Sequence, residues 1–156
     1  MKKAIMLLMV LGGIALKGKT QDNLIGIRGG WYSGISFQHY LSDGKAIEGL
    51  FQFARGGMNI TGLYELHEPI NGADGFGFYY GAGAHVGIYQ KDRYNLFGDR
   101  YTGSGSVIGA DGIVGVEYIF DQIPLQLSLD YKPALNIGGG GLWLFHDAAL
   151  GIRIYF

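Results

Sequence analysis

Leu142 to Phe156 reads L-W-L-F-H-D-A-A-L-G-I-R-I-Y-F, and this stretch decides the fold class. Counting back from the end, Phe156, Ile154, Ile152, Leu150 and Ala148 share one face of an extended chain. Tyr155, Arg153, Gly151, Ala149 and Asp147 share the other. Successive side chains of a strand point to opposite faces, so one face is oily and the other small or ionic. A strand patterned this way and closed by an aromatic is what a transmembrane β-barrel needs for its last strand.

The same alternation runs backward through the chain. Turn signals divide residues 22–156 into eight segments, expected as strands near 24–31, 34–41, 45–54, 58–68, 76–89, 106–120, 123–136 and 142–156. The turns fall at Ser42-Asp43-Gly44, Arg55-Gly56-Gly57, Asn71 to Gly75, Asp121-Gln122 and Gly138 to Gly141. In the seventh segment Ile123, Leu125, Leu127, Leu129, Tyr131 and Leu135 oppose Gln126, Ser128, Asp130, Lys132 and Asn136. In the fifth, Phe76, Phe78, Tyr80 and Val86 oppose Tyr79, His85 and several glycines. In the sixth, Ile108, Val114, Val116, Tyr118 and Phe120 oppose Asp111 and Glu117. The third sets Ile47, Phe51 and Phe53 against Glu48 and Gln52. The fourth sets Ile60 and Tyr64 against Thr61, Glu65 and His67. The first sets Ile25, Ile27 and Trp31 against Arg28. Pro133 interrupts the seventh segment, where the expectation is a bulge.

Composition agrees with a barrel. The chain has 156 residues, enough for one domain. Twenty-nine glycines, 14% aromatics and 16% charged residues favour short strands over helices. A net charge of −1 points away from nucleic acid, and the lack of cysteine excludes disulfides and thiolate metal sites. Lys2 and Lys3 precede an apolar run from Ala4 to Leu16, which reads as an export signal over residues 1–20 with the mature domain at 21–156. Removing it leaves 8 basic residues (12 less 4) against 13 acidic ones. Gly13 to Thr20 matches the phosphate-loop pattern G-x-x-x-x-G-K-T, but it lies within that signal and lacks the strand-to-helix setting the loop requires.

Alternation does not by itself say which face is outside, and a soluble lipocalin-like carrier would turn its oily face inward. Three features favour the inverted arrangement. Aromatics gather at strand ends: Phe76, Phe78, Tyr118, Phe120 and Phe156 at one rim, Trp31, Phe53, Trp143 and Phe145 at the other, as two interfacial girdles would. The opposite face is rich in glycine, alanine and serine, which a narrow lumen needs. Connections on the end shared with the termini are short, and the longest, about Gln90 to Gly105, lies at the far end. Each Arg or Lys turned to mid-bilayer lipid costs roughly 2–4 kcal/mol. Flipping the strands of Arg28, Lys132 and Arg153 would cost about 6–12 kcal/mol, against a typical domain stability of about 5–15 kcal/mol.

Tyr80-Gly-Ala-Gly-Ala-His85, Ile108-Gly-Ala-Asp-Gly-Ile113 and Ile123-Pro-Leu-Gln-Leu-Ser-Leu-Asp-Tyr-Lys-Pro133 resemble small outer-membrane barrel proteins of Gram-negative bacteria. These are the compact eight-stranded proteins of the OmpA transmembrane-domain and OmpX type, and the closing aromatic resembles their C-terminal assembly signal. The resemblance covers the chain from about residue 23 onward. It implies an all-β, eight-stranded antiparallel up-and-down barrel, monomeric, in the cell outer membrane. It implies contact with outer-membrane lipid, lipopolysaccharide and the outer-membrane assembly machinery, and it names no activity.

Candidate functional residues follow from the inward face. Arg28, Lys132 and Arg153 are expected to share the lumen with Glu48, Glu65, Asp111, Glu117, Asp130 and Asp147, with His67 and His85 nearby. Buried charges must be paired, so the expectation is an ion-pair plug; the alternative is a proton or ion path. His67, His85 and Glu65 are ligand types for zinc, but lumenal histidines are more often simply hydrogen-bonded, and no metal or cofactor is expected. A lipid A-modifying enzyme would need a serine, a histidine and an acid together near the outer rim. His146 and Asp147 are adjacent on a strand and so point apart, with Ser33, Ser104 and Ser106 as the candidate hydroxyls. The expectation is therefore no enzyme. In the long loop Arg93, Tyr94, Phe97, Arg100 and Tyr101 are candidate contacts to lipopolysaccharide or a surface partner.

Overall fold

A computed structural model describes residues 22–54, 57–90, 93–94, 100–101, 104–138 and 141–156, the backbone only at residues 54, 89–90, 93–94, 100–101 and 104. The expected signal segment and Phe97 lie outside them. The elements are β1 (Asn23–Gly30), β2 (Ser33–Ser42), β3 (Lys45–Ala54), β4 (Gly57–Pro69), β5 (Phe76–Gln90), β6 (Arg93–Tyr94), β7 (Arg100–Tyr101), β8 (Ser104–Ile119), β9 (Leu125–Gly138) and β10 (Gly141–Tyr155). Eight of them close an antiparallel barrel in the order β1-β10-β9-β8-β5-β4-β3-β2. Chain neighbours pair throughout, and β1 meets β10 to close the ring. The remaining two, β6 and β7, pair as a short hairpin between β5 and β8.

Every expected strand is present, with no end moved by more than two residues. Trp31 lies just past β1, Phe120 just past β8, and Ile123 before β9. Gly44 sits at φ 71° and Gly75 at φ 81° in the tight connections after β2 and before β5, where a side chain would strain the backbone. The expected contrast in connection length is narrower than supposed. Residues 31–32, 55–56 and 139–140 separate strands at the far end by two positions each, so the contrast rests on residues 91–103.

Pro133 makes no bulge. The β8–β9 register is the same on both sides of it, from Asp111↔Ala134 to Val114↔Tyr131, and the ladder merely lapses between those pairs. Proline lacks the donor a rung requires. Gly112 stands across from the ring, and even an added Cβ there would lie 3.6 Å from Pro133 Cγ. A register shift occurs instead in the β2–β3 pairing, between Tyr40 and Ser42.

Register also sets the stagger. Stepping across paired positions from Ile27 leads through Ile35, Phe51, Ile60, Val86, Ile108, Ile137 and Leu142. Extending the Leu24↔Tyr155 register, Leu142 would oppose position 37, so the path returns to β1 displaced by ten residues, from 27 to 37. A stagger of this kind tilts the strands and sets the width of an eight-stranded barrel, just enough for side chains to fill it.

Burial is inverted relative to a water-soluble fold. Leu127 and Ile152 are 37% and 46% exposed, whereas Asp130 and Arg153 are 3% and 1% exposed. Among the described residues, nineteen polar or charged side chains are buried against nine hydrophobic ones. The outward face is an apolar band. The lumen holds one apolar layer, Leu50, Leu63, Tyr79 and Ile113.

The lumenal polar cluster as the candidate functional site

All eleven residues expected in the lumen point there and are buried: Arg28, Glu48, Glu65, His67, His85, Asp111, Glu117, Asp130, Lys132, Asp147 and Arg153. Period-two alternation carries each one inward on its own strand, and barrel closure brings residues distant in sequence into contact. They form three groups rather than one cluster.

The first centres on Arg28. Its guanidinium reaches Asp147 Oδ2 at 2.5 Å through Nη1 and grips Asp130 through Nε and Nη2, with Nε at 3.2 Å from both carboxylate oxygens. Tyr79 donates to Asp130 Oδ2 at 3.3 Å. The Trp31 backbone amide donates to Asp147 Oδ1 at 2.9 Å, which ties the end of β1 to β10. One cation from β1 thus ties β9 to β10.

The second group centres on Arg153. It pairs with Glu48 from across the lumen, and donates to Ser36 Oγ at 2.8 Å and Ser128 Oγ at 3.0 Å. Ser36 also contacts Glu48. Below it His67 bridges two carboxylates, with Nδ1 3.0 Å from Glu117 and Nε2 3.3 Å from Glu65. Gln38 donates to Glu65 at 2.7 Å, and Gln126 to Glu117 at 2.7 Å. The His67 ring stacks on Tyr79 with centroids 5.0 Å apart. This group opens at the terminal end into a cavity of about 620 Å³ whose walls include Tyr40, His67, Glu117 and Tyr155.

The third group lies toward the other mouth. Asp111 accepts from Lys132 Nζ at 2.8 Å and contacts His85 Nδ1 at 2.6 Å. Above it is a cavity of only about 10 Å³ lined by residues including Tyr32, Asn59, Asn136, Trp143 and Phe145. A space that size holds about one water molecule.

Among the described residues, each basic group of the lumen therefore contacts a carboxylate, and paired charges with several hydrogen bonds are the form in which buried ions are tolerated. His67 and His85 belong to different groups. Among the described residues, no set of three or more His, Cys, Asp or Glu side chains is arranged to hold a metal.

The aromatic girdles need one correction. Phe53 and Phe76 are exposed and outward, Trp31 is 77% exposed, and Phe78 is outward beside Tyr80. Tyr118, Phe120 and Phe156 are half-buried, with Tyr118 4.7 Å from both Phe76 and Phe120. Trp143 and Phe145 do not belong to the outward set. They share parity with Asp147 and Arg153 and roof the far mouth from within, with Phe145 edge-on to Tyr32 at 5.0 Å. Composition at a strand end suggested a girdle, but the parity of β10 decides the face.

His146 and Asp147 point apart, as their adjacency required. His146 is exposed and 2.5 Å from Tyr131 Oη, while Asp147 is held by Arg28. Ser33 exchanges hydrogen bonds with the backbone of Gly30. Arg93, Tyr94, Arg100 and Tyr101 are placed by backbone alone, with Arg93 opposite Tyr101 and Tyr94 opposite Arg100.

Sequence reasoning passed over Ser36, Gln38 and Tyr40 on β2 and the apolar layer of Leu50, Leu63 and Ile113. The β2 signal was there, since Ile35, Phe37 and Leu41 alternate with Ser36, Gln38 and Tyr40. Nothing local marked the buried leucines, because an apolar residue at an inward position breaks the alternation instead of continuing it. No protein-family model and no curated protein matches the chain, so no residue role is inherited from a relative.

Proposed function

We propose that this chain is an outer-membrane β-barrel protein of a Gram-negative bacterium, exported through a cleaved segment at residues 1–20. In this reading it is monomeric and non-enzymatic, serves envelope structure and surface contact, and has a lumen closed by ion pairs. The observation that carries the reading is the inverted burial, with Ile27, Ile60, Val86 and Leu150 open on the outside and Arg28, Lys132 and Arg153 enclosed. Exposed apolar surface of that extent is costly in water and is what acyl chains solvate. A carrier of the lipocalin type keeps its ligand cavity inside, and here interlocked charges fill that position.

Heat-modifiable electrophoretic mobility tests the reading. A folded barrel extracted in detergent should run ahead of its boiled form and fractionate with the outer membrane. Recovery as a clear aqueous solution without detergent would reject the proposal. Lipid A mass spectra from cells with and without the protein should be identical, and a new acyl pattern would establish an enzyme instead.

A further inference from the structure

Glu48 and Glu65 stand apart from the other carboxylates of the lumen. Among the described buried carboxylates, only these two keep an oxygen without a hydrogen-bond partner, Glu48 Oε2 and Glu65 Oε1. Their second oxygens are well used. Glu48 Oε1 takes Arg153 and Ser36. Glu65 Oε2 takes Gln38 at 2.7 Å and lies 3.3 Å from His67 Nε2. Asp130 and Asp147 also outnumber their cation, Arg28, yet all four of their oxygens accept hydrogen bonds.

The two partnerless oxygens belong to neighbouring groups. Glu48 stands opposite Leu63, and Glu65 opposite Ala46, so the two glutamates are diagonal neighbours on the inward face of β3 and β4. Long side chains meet at that spacing, and the two carboxyl groups come within hydrogen-bonding reach of each other. They are 2% and 0% exposed. A carboxylate only accepts hydrogen bonds. Two ionised groups here would set acceptor against acceptor, and charge against charge, in a low-dielectric interior.

The charge of the group points the same way. Glu48, Glu65 and Glu117 bring three negative charges when ionised. Arg153 on β10 supplies one positive charge, and His67 on β4 supplies one more when protonated. One negative charge is left over even then. The other titratable groups facing the pair are the hydroxyls of Tyr40 on β2 and Tyr79 on β5, which bring no positive charge. A water molecule donating to both oxygens would satisfy them and leave the excess charge in place. One proton removes both defects, because it turns the contact into a charge-assisted O–H···O hydrogen bond and neutralises the group.

The pair is also placed to exchange that proton at one end only. His67 and Glu117 wall the cavity at the terminal end, and His67 contacts Glu65. Toward the far mouth the next inward residues on β3 and β4 are Leu50 and Leu63, which belong to the apolar layer.

We propose that Glu48 and Glu65 bind one proton between them, and that this proton latches β3 to β4 and couples the lumenal plug to the pH at the terminal mouth. The inference rests on the closed lumen of the reading above and deepens it; it does not depend on the membrane.

The test uses the full chain folded in lipid vesicles and carrying isotope-labelled glutamate. Infrared spectra are taken at about pH 6, above the ordinary glutamate value of about 4.3. One isotope-shifted carboxylic-acid C=O band should appear. Glu48→Gln and Glu65→Gln should each abolish it, and Glu68→Gln, at an exposed position, should keep it. Urea unfolding supplies a second readout. Above about pH 5 the unfolded chain has released a proton that the native pair still holds, so stability falls as pH rises. Until the pair ionises, the unfolding constant of the unaltered protein should climb about tenfold more per pH unit than that of Glu65→Gln, whose amide gives Glu48 its hydrogen at every pH. His67 keeps Glu117 in both proteins. No labelled acid band in the unaltered protein, a band that survives Glu65→Gln, or equal slopes would each overturn the pair. Sodium-dependent stability without an acid band would overturn it too, by putting a metal cation in the proton's place. If Glu65→Gln fails to fold, the labelled band of the unaltered protein decides alone. Recovery of the chain without detergent would defeat the membrane reading and leave this test intact.

Discussion

Arg28 is the residue on which the lumen depends most directly. It holds two carboxylates from two different strands and is 1% exposed. Arg28→Met removes the cation and leaves Asp130 and Asp147 facing each other's charge in a dry interior. Loss of one partner from a buried pair costs about 3–5 kcal/mol, and reversible urea unfolding in lipid vesicles should show a loss of that size. Adding Asp130→Asn and Asp147→Asn should restore most of it, because the penalty is the stranded charge and not a missing attraction. If the triple variant is no more stable than the single one, the plug account fails. Gly34 is constrained by space instead of charge. A Cβ there would lie 2.7 Å from Gln52 Cα and crowd the backbone of Phe51. Gly34→Val should therefore destabilise by about 1–3 kcal/mol through forced backbone shifts, and an unchanged unfolding midpoint would contradict the packing.

At the level of the strand, parity is the controlling variable. A slip of one residue exchanges the two faces of a strand. In β9 it would turn Asp130 and Lys132 outward and bring Leu129 and Tyr131 in. The face can be probed one residue at a time. Leu129 is 52% exposed near mid-strand, and Ile154 is 39% exposed near the terminal end. In a bilayer, Leu129→Arg should cost about 2–4 kcal/mol and Ile154→Arg about 0–1 kcal/mol, because the penalty depends on depth. Unfolding from vesicles measures both, and equal small effects would mean that this surface meets water. Trp143 shows how element-scale reasoning corrects composition. A tryptophan near a strand end suggested an outer girdle, but it shares a face with Asp147, and it roofs the lumen. Pro133 carries the same lesson. The missing donor removes rungs locally without shifting the register.

For the whole molecule, closure converts eight half-oily strands into a sealed object. The stagger of ten residues fixes the width, and the width lets side chains meet across the lumen. Arg153 on β10 reaches Glu48 on β3, and His67 on β4 reaches Glu117 on β8. These contacts and the layer of Leu50, Leu63, Tyr79 and Ile113 obstruct the centre. Planar bilayers containing the protein should accordingly show no steady channels, and Arg153→Ala, which vacates the largest lumenal side chain beside Glu48, should give brief openings. Steady conductance by the unaltered protein, lost on Asp130→Asn, would replace the plug with a pore.

The amino-acid order by itself determined the number of barrel strands, their approximate ends and the two faces of most of them, but not the short β6–β7 hairpin. Those properties are local: a side chain's face follows from its parity, and a turn from glycine, asparagine and aspartate over a few positions. It also named every charged residue buried in the lumen among the described residues, since an ionic residue on an otherwise small-residue face stands out. Only the tertiary structure decided the partners. Arg28 had six acids within its face's reach and takes Asp130 and Asp147, because pairing across a closed ring is set by stagger and tilt, and these depend on all eight strands together.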